Sequence, residues 1–220
     1  MIDRAATRLL APALRAIARP LTALGGGADA VTLAGFAAGI AGATAIALGH
    51  PLAGLALVLA SRLLDGLDGA VARLTTPTDR GAFLDIVLDF LFYASVPLGF
   101  AIADPAANAL AAAVLLASFV GTGSSFLAFA ILAERRGIEA GRAPAKGFFH
   151  LGGLTEAGET LACFAAMCLW PGLFAWLALG FAALCALTAA TRIALGWRLL
   201  AGPGPADAKA PRAGAGGALR

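Results

Sequence analysis

The sequence predicts an all-α membrane protein: six transmembrane helices preceded by an N-terminal amphipathic helix lying in the membrane interface. Two observations carry that prediction. The 220-residue chain is 60% hydrophobic and 13% charged, with a mean hydropathy of +0.86, which leaves too little polar surface for a water-soluble globule of this size. Its apolar residues also gather into runs of about 20 residues, the length that crosses a hydrocarbon core about 30 Å thick.

The first element is residues 1–24. Projected on a helix, Arg4, Arg8, Arg15 and Arg19 fall within roughly 60° of one another, while Leu9, Leu10, Leu14 and Ile17 take the opposite face. Such a helix rests in the cytoplasmic interface, cations outward and leucines in lipid. Pro12 is expected to bend it. Arg15 and Arg19 interrupt the apolar region and so exclude a clean signal peptide; an Arg-rich, acid-poor start also resembles an organellar transit peptide, the lesser alternative to the interfacial reading.

Residues 25–201 form the transmembrane domain. "GGGADAVT" supplies a flexible break and a cap, and the spans follow at 31–49, 51–72, 82–103, 108–132, 154–170 and 173–197. Gly35 and Gly39 make a G-x-x-x-G pair that lets helices approach closely. The connectors at Gly49-His50-Pro51, Asp104-Pro105 and Trp170-Pro171-Gly172 hold no Lys or Arg. All 16 basic residues lie on or near the other side, so both termini are expected in the cytoplasm. Trp170 and Trp176 then mark the outer interface and Trp197 the inner one. Residues 202–220 have too little apolar content to fold and are expected to be a disordered cytoplasmic tail.

Several function classes recede on composition. The net charge of +3 is sorted to one membrane side, which makes the anionic inner leaflet a simpler partner than nucleic acid. Cys163, Cys168 and Cys185 all sit in apolar spans, match no metal spacing and read as small core residues.

The chemistry is concentrated in "DGLDGAVARLTTPTDRGAFLDIVLD", residues 65–89. On a helix Asp65 and Asp68 are one turn apart, and so are Asp85 and Asp89. "LTTPTDR" between them reads as a turn on the cytoplasmic side, with Asp79 as a turn former or cap. Two antiparallel helices joined there bring both aspartate pairs to similar depth just inside the membrane. Four unpaired aspartates at that depth would cost on the order of 10 to 14 kcal/mol. Arg62 and Arg73 offset part of this, and hard divalent cations offset more while leaving positions for phosphate. Gly69 and Gly81 leave room for a bulky ligand against the helix backbone. The residues alone therefore describe a cytoplasm-facing metal site able to hold a phosphate ester. A structural ion-pair network with Arg62, Arg73 and Arg80 is the plainer alternative, but acids inside a membrane are functional by default.

The pattern Asp65-x-x-Asp68-Gly69-x-x-Ala72-Arg73, seven residues, then Gly81-x-x-x-Asp85-x-x-x-Asp89 resembles the signature of the CDP-alcohol phosphatidyltransferases. The resemblance implies that the membrane domain is catalytic and that Asp65, Asp68, Asp85 and Asp89 hold one or two Mg²⁺ or Mn²⁺ ions. It implies that Asp89 also acts as general base, and that Gly69, Arg73 and Gly81 surround the cytidine diphosphate of a CDP-linked lipid. Many members have eight residues rather than seven before the second glycine, so a substrate contact from Thr78 is the loosest of these carry-overs. The implied reaction moves a phosphatidyl group from CDP-diacylglycerol to a small alcohol and releases CMP, in a homodimeric enzyme of a bacterial inner membrane. Glycerol 3-phosphate, inositol phosphate, serine and inositol are all open as acceptors, with a slight lean by analogy towards glycerol 3-phosphate; transfer of a phosphoalcohol to diacylglycerol uses the same motif.

Outside the motif, Arg135, Arg136, Arg142 and Lys146 are candidates to grip a phosphorylated acceptor, although topology alone asks for cations in that loop. Glu156 and Glu159, one turn apart at the start of the fifth span, either line an acceptor pocket or cap the helix and pair with the basic loop. A transporter using intramembrane carboxylates is the competing class. Its acids should continue as a path through the membrane, whereas here the outer halves of the spans contain none.

Overall fold

A computed structural model describes residues 2–23, 27–136 and 157–201, and no strand occurs among them. The helices are α1 (Ile2–Ala23), α2 (Ala28–Ala47), α3 (Pro51–Leu74), α4 (Asp79–Ala103), α5 (Pro105–Arg135), α6 (Ala157–Leu169) and α7 (Phe174–Leu199), with a 3₁₀ turn at Pro171–Leu173 before α7. Each of the six apolar stretches becomes a helix. The tail and most of the basic loop, including Arg142, Lys146, His150 and Glu156, lie outside the described residues.

Local chemistry sets the boundaries. Pro51 and Pro105 open α3 and α5 at the position where the missing N–H costs nothing. Asp104 caps α5 by accepting from the Ala107 N–H at 3.1 Å, and Thr78 caps α4 by accepting from the Gly81 N–H at 3.1 Å. Asp79 is thus the first helical residue of α4 rather than its cap, and its charge suits the positive end of the helix. The cap expected in "GGGADAVT" is also different: Gly27 precedes α2 without any side-chain cap, and Asp29 sits inside the first turn. Helix α1 continues through Pro12 and Pro20.

Helices α2, α4, α5 and the 171–199 segment are long and apolar enough to cross a membrane. Helix α3 has the length, at 24 residues, but Arg62, Asp65, Asp68 and Arg73 break its apolar run. Helix α6 offers 13 described residues.

The central element of the motif region is α2. Helices α3 and α4 follow one another in the chain, yet each packs chiefly on α2; α5 then joins α4 to α7, and α6 bridges α3 and α7. Glycine makes this possible. A Cβ at Gly35 would sit 3.2 Å from the Leu64 Cβ of α3, and one at Gly39 would run into the Phe92 ring of α4. Helix α1 lies on α3, with Leu14, Ala18 and Leu21 against Leu67, Ala70 and Val71. The small, fully buried Ala18 permits the close approach, while Ile17 stays exposed.

The main core gathers where α4, α5, α6 and α7 meet, around Phe92, Val96, Leu115, Phe164 and Met167. Toward the 103–105 and 171–173 connectors, Phe100 and Phe174 stack with ring centres 4.5 Å apart. Cys168 and Cys185 are buried in this core and Cys163 lies at its edge, and none of the three forms a disulfide among the described residues.

Candidate metal centre

The four aspartates come from two helices that α2 holds side by side. Asp65 and Asp68 project from the last turns of α3, and Asp85 and Asp89 from the first turns of α4, after a connector only four residues long. One carboxylate oxygen from each of Asp65, Asp68 and Asp85 lies within 4.8 Å of the others. Asp68 is the most buried of the three and Asp85 the most open. Asp89 stands beside this trio rather than in it. Its Oδ1 accepts from Arg62 Nη1 at 2.6 Å, and the same nitrogen lies 3.5 Å from Asp65 Oδ1.

Neighbouring helices orient these groups. Thr32 of α2 donates its hydroxyl to Asp68 Oδ2 at 2.7 Å. Arg62 lies flat over the Phe92 ring, its guanidinium carbon 3.9 Å from the ring centre, and its Nη2 donates to Ser61 Oγ at 3.2 Å. Phe92 in turn occupies the space that Gly39 leaves free. Together Thr32, Gly35, Arg62, Asp65, Asp85 and Asp89 line a small polar cleft.

Three hard oxygen donors at this spacing suit a divalent ion. Around octahedral Mg²⁺ or Mn²⁺, ligand oxygens stand about 3 Å apart when adjacent and about 4.2 Å apart when opposite, so closing from 4.8 Å takes side-chain adjustments of under about 1 Å. Carboxylates alone rarely fill six positions, which leaves room for phosphate oxygens or water.

The remaining candidates spread around this centre. Arg73 folds back over Gly69, its Nη1 3.3 Å from where a Cβ would lie. At Gly81 a Cβ would stand 3.2 Å from both Asp29 Oδ1 and Thr78 Oγ1, so the start of α2 closes on the start of α4 there. Arg80 donates to Asp29 at 2.6 Å and is therefore paired outside the motif. Arg135 ends α5 and Arg136 follows it. Glu159 falls in the first turn of α6, and its Oε2 is buried with no hydrogen-bond partner among the described residues.

Sequence reasoning missed Thr32, Asp29 and the Phe92 platform. The available signal was a helical stripe, Thr32-x-x-Gly35-x-x-x-Gly39, that places one hydroxyl in line with the small residues of a packing face.

Known proteins resemble this chain in sequence and in fold. The family model described as CDP-alcohol phosphatidyltransferase matches residues 27–188. The chain is 50% identical over 200 residues to the inner membrane protein YnjF of Escherichia coli, covering 91% of this chain and 97% of that one. It is 48% identical over 65 residues to the archaetidylinositol phosphate synthase of Methanothermobacter thermautotrophicus, 29% of this chain and 33% of the relative. Two crystal structures of the phosphatidylinositol phosphate synthase PgsA1 of Mycobacterium tuberculosis superpose with a TM-score of 0.62 at 25% identity. The structure with CDP-DAG bound covers 84% of this chain and 93% of PgsA1; the one with manganese and citrate covers 84% and 88%.

Proposed function

The chain belongs to the CDP-alcohol phosphatidyltransferase family, and from that premise we propose that it moves a phosphatidyl group from CDP-diacylglycerol to a phosphorylated small polyol, releasing CMP. The observation that carries this reading is the convergence of Asp65, Asp68 and Asp85 within 4.8 Å in a motif that resembles the family's, with seven residues before the second glycine where many members have eight. Asp65, Asp68 and Asp85 would hold one divalent ion, and Asp89 with its neighbours a second. When bound, Mg²⁺ or Mn²⁺ neutralises diphosphate charge and lowers the pKa of a hydroxyl.

The chain's own residues supply the rest. Arg73 and the backbone at Gly69 and Gly81 bind and orient the cytidine diphosphate, with Thr78 at its edge. Asp89 takes the proton from the acceptor hydroxyl. The freed oxygen attacks the lipid-side phosphorus, the bond from that phosphorus to the CMP oxygen breaks, and CMP departs with the electron pair. Asp89 then returns its proton to water. Rate comes from alignment and charge neutralisation rather than from covalent chemistry on the protein.

The acceptor's phosphate is the finer part of the reading. Glycerol 3-phosphate and inositol phosphate are both phosphate monoesters of polyols, and two of the relatives are named for inositol phosphate products. Arg135 and Arg136, with Arg142 and Lys146, are the cations suited to that phosphate, and Glu159, with Glu156, to its hydroxyls. The same reading places six spans across the membrane, α1 in the interface (residues 1–24), the catalytic domain at 25–201, a tail at 202–220, and the site and both termini in the cytoplasm of a homodimer. The positive-inside distribution of Lys and Arg supports the orientation.

The test is CMP release by purified protein given CDP-diacylglycerol, Mg²⁺ or Mn²⁺, and one alcohol at a time. Metal-dependent release with glycerol 3-phosphate or an inositol phosphate is expected, with activity lost in Asp89→Asn. Release with diacylglycerol and a CDP-alcohol instead would reassign the direction of transfer. No release with any acceptor would defeat the reading.

A further inference from the structure

Arg62 lies outside the motif, yet it is the cation closest to it. We propose that Arg62 positions Asp89 and acts as a resident counter-charge that makes the divalent position beside Asp89 weaker than the one formed by Asp65, Asp68 and Asp85. This rests on the metal-dependent reading above.

Four observations support it. First, Arg62 is not free to swing away: its side chain is 13% exposed and it lies 3.9 Å above the ring centre of Phe92, a residue with no exposure. Second, its Nη1 donates to Asp89 Oδ1 at 2.6 Å, which ties that carboxylate, at the lining of the cleft, to a fixed cation. Third, the guanidinium reaches Asp89 while leaving its own Nε buried without a partner, so its orientation serves the carboxylate rather than its own hydrogen bonding. Fourth, the counter-charge is lopsided. Arg62 hydrogen-bonds Asp89 at 2.6 Å and, of the trio, pairs with Asp65 at the longer distance of 3.5 Å, whereas Asp68 accepts from the neutral hydroxyl of Thr32, and no ion pair to Asp68 or Asp85 occurs among the described residues.

A fixed positive charge on a ligand oxygen opposes a divalent ion at that oxygen and acts less on one bound further away. The two ions therefore bind unequally. The trio fills first, and the position at Asp89 fills when diphosphate oxygens add negative charge and ligands, so that occupancy of the second position is coupled to arrival of the CDP-lipid.

The experiment is a Mn²⁺ titration of the purified full-length protein without lipid, reading free Mn²⁺ by electron paramagnetic resonance. Two classes of site are expected, separated by at least about tenfold in Kd. Arg62→Gln and Arg62→Met, the second keeping bulk on the Phe92 ring, should each tighten the weaker class by on the order of tenfold, with the tight class changed by less than about threefold. Adding CDP-diacylglycerol to the parent should bring the weaker class up in the same way. Asp89→Asn keeps Arg62 in place and should remove the weaker class alone; it decides the matter if neither Arg62 variant folds. Equal sites in the parent, a weaker class unmoved or loosened in a folded Arg62 variant, or loss of the tight class in Asp89→Asn would each overturn the proposal. A parent that binds no Mn²⁺ would sink the metal-dependent reading as well, which separates the two failures.

Discussion

The two ends of the helix bundle are built on opposite plans. Near the connectors at 103–105 and 171–173, α4 and α7 meet through stacked Phe100 and Phe174, with Val96, Leu115 and Met167 filling the space behind them. At the other end α3 and α4 are held apart by α2, and the gap is lined by carboxylates, one guanidinium and one hydroxyl. Inside a bilayer, lipid tails are as apolar as leucine, so helices stay together through close fit and polar contacts rather than by escaping water. The aromatic end uses fit. The acidic end is left short of cations, and that deficit is what makes it able to take up metal.

Replacing residues at each end should separate chemistry from cohesion. The largest effect is expected for Asp68→Asn: CMP release should fall by at least about a thousandfold. Its thermal unfolding midpoint without metal should hold or rise, because a buried charge is gone. A variant that loses activity only because it unfolds would erase the distinction between the ends. Phe174→Ala should do the reverse, lowering stability in detergent by about 3 kcal/mol through the cavity it leaves, while Mn²⁺ affinity stays at the parental value. Gly39→Ala probes the link between the two plans. Its methyl would strike the Phe92 ring that carries Arg62, so a stability loss of about 1–3 kcal/mol should come with altered Mn²⁺ binding; a loss of stability alone would show that the ends are independent. Thr32→Val removes a hydrogen bond to Asp68 and should weaken metal binding by about 10–100-fold. The smallest effect belongs to Arg80→Ala. Its pair with Asp29 is largely exposed and should contribute under about 1 kcal/mol, measurable as a slight shift in unfolding that high salt removes.

The acidic end was far more legible in the sequence than the way it is assembled. Charged residues inside apolar runs are conspicuous, and spacings of three and four put Asp65 with Asp68 and Asp85 with Asp89 on common helix faces whatever the tertiary fold. The helices themselves were legible because apolar length is a local property. The wedge role of α2 was not, since it depends on which helices meet. Thr32 and Asp29, near the start of a span, look like capping residues until Asp68 and Arg80 are found opposite them. The seat of α1 on α3 was not legible for a similar reason: the pattern marks an apolar face, but only the meeting of the two helices shows that the small Ala18 is buried there. Arg62 could be named as an offsetting charge from sequence, but its place between Asp89 and Asp65 depends on the Phe92 platform one helix away.

Helix α5 runs for 31 residues, about 46 Å at 1.5 Å per residue, against a hydrocarbon layer of about 30 Å. It cannot stand upright inside that layer; it leans, or its last turns rise among the headgroups. Where it leans, its angle responds to bilayer thickness within what its packing on α4 and α7 permits. The product of such an enzyme would join the medium that sets its tilt, so membranes made of shorter or longer acyl chains should change its turnover.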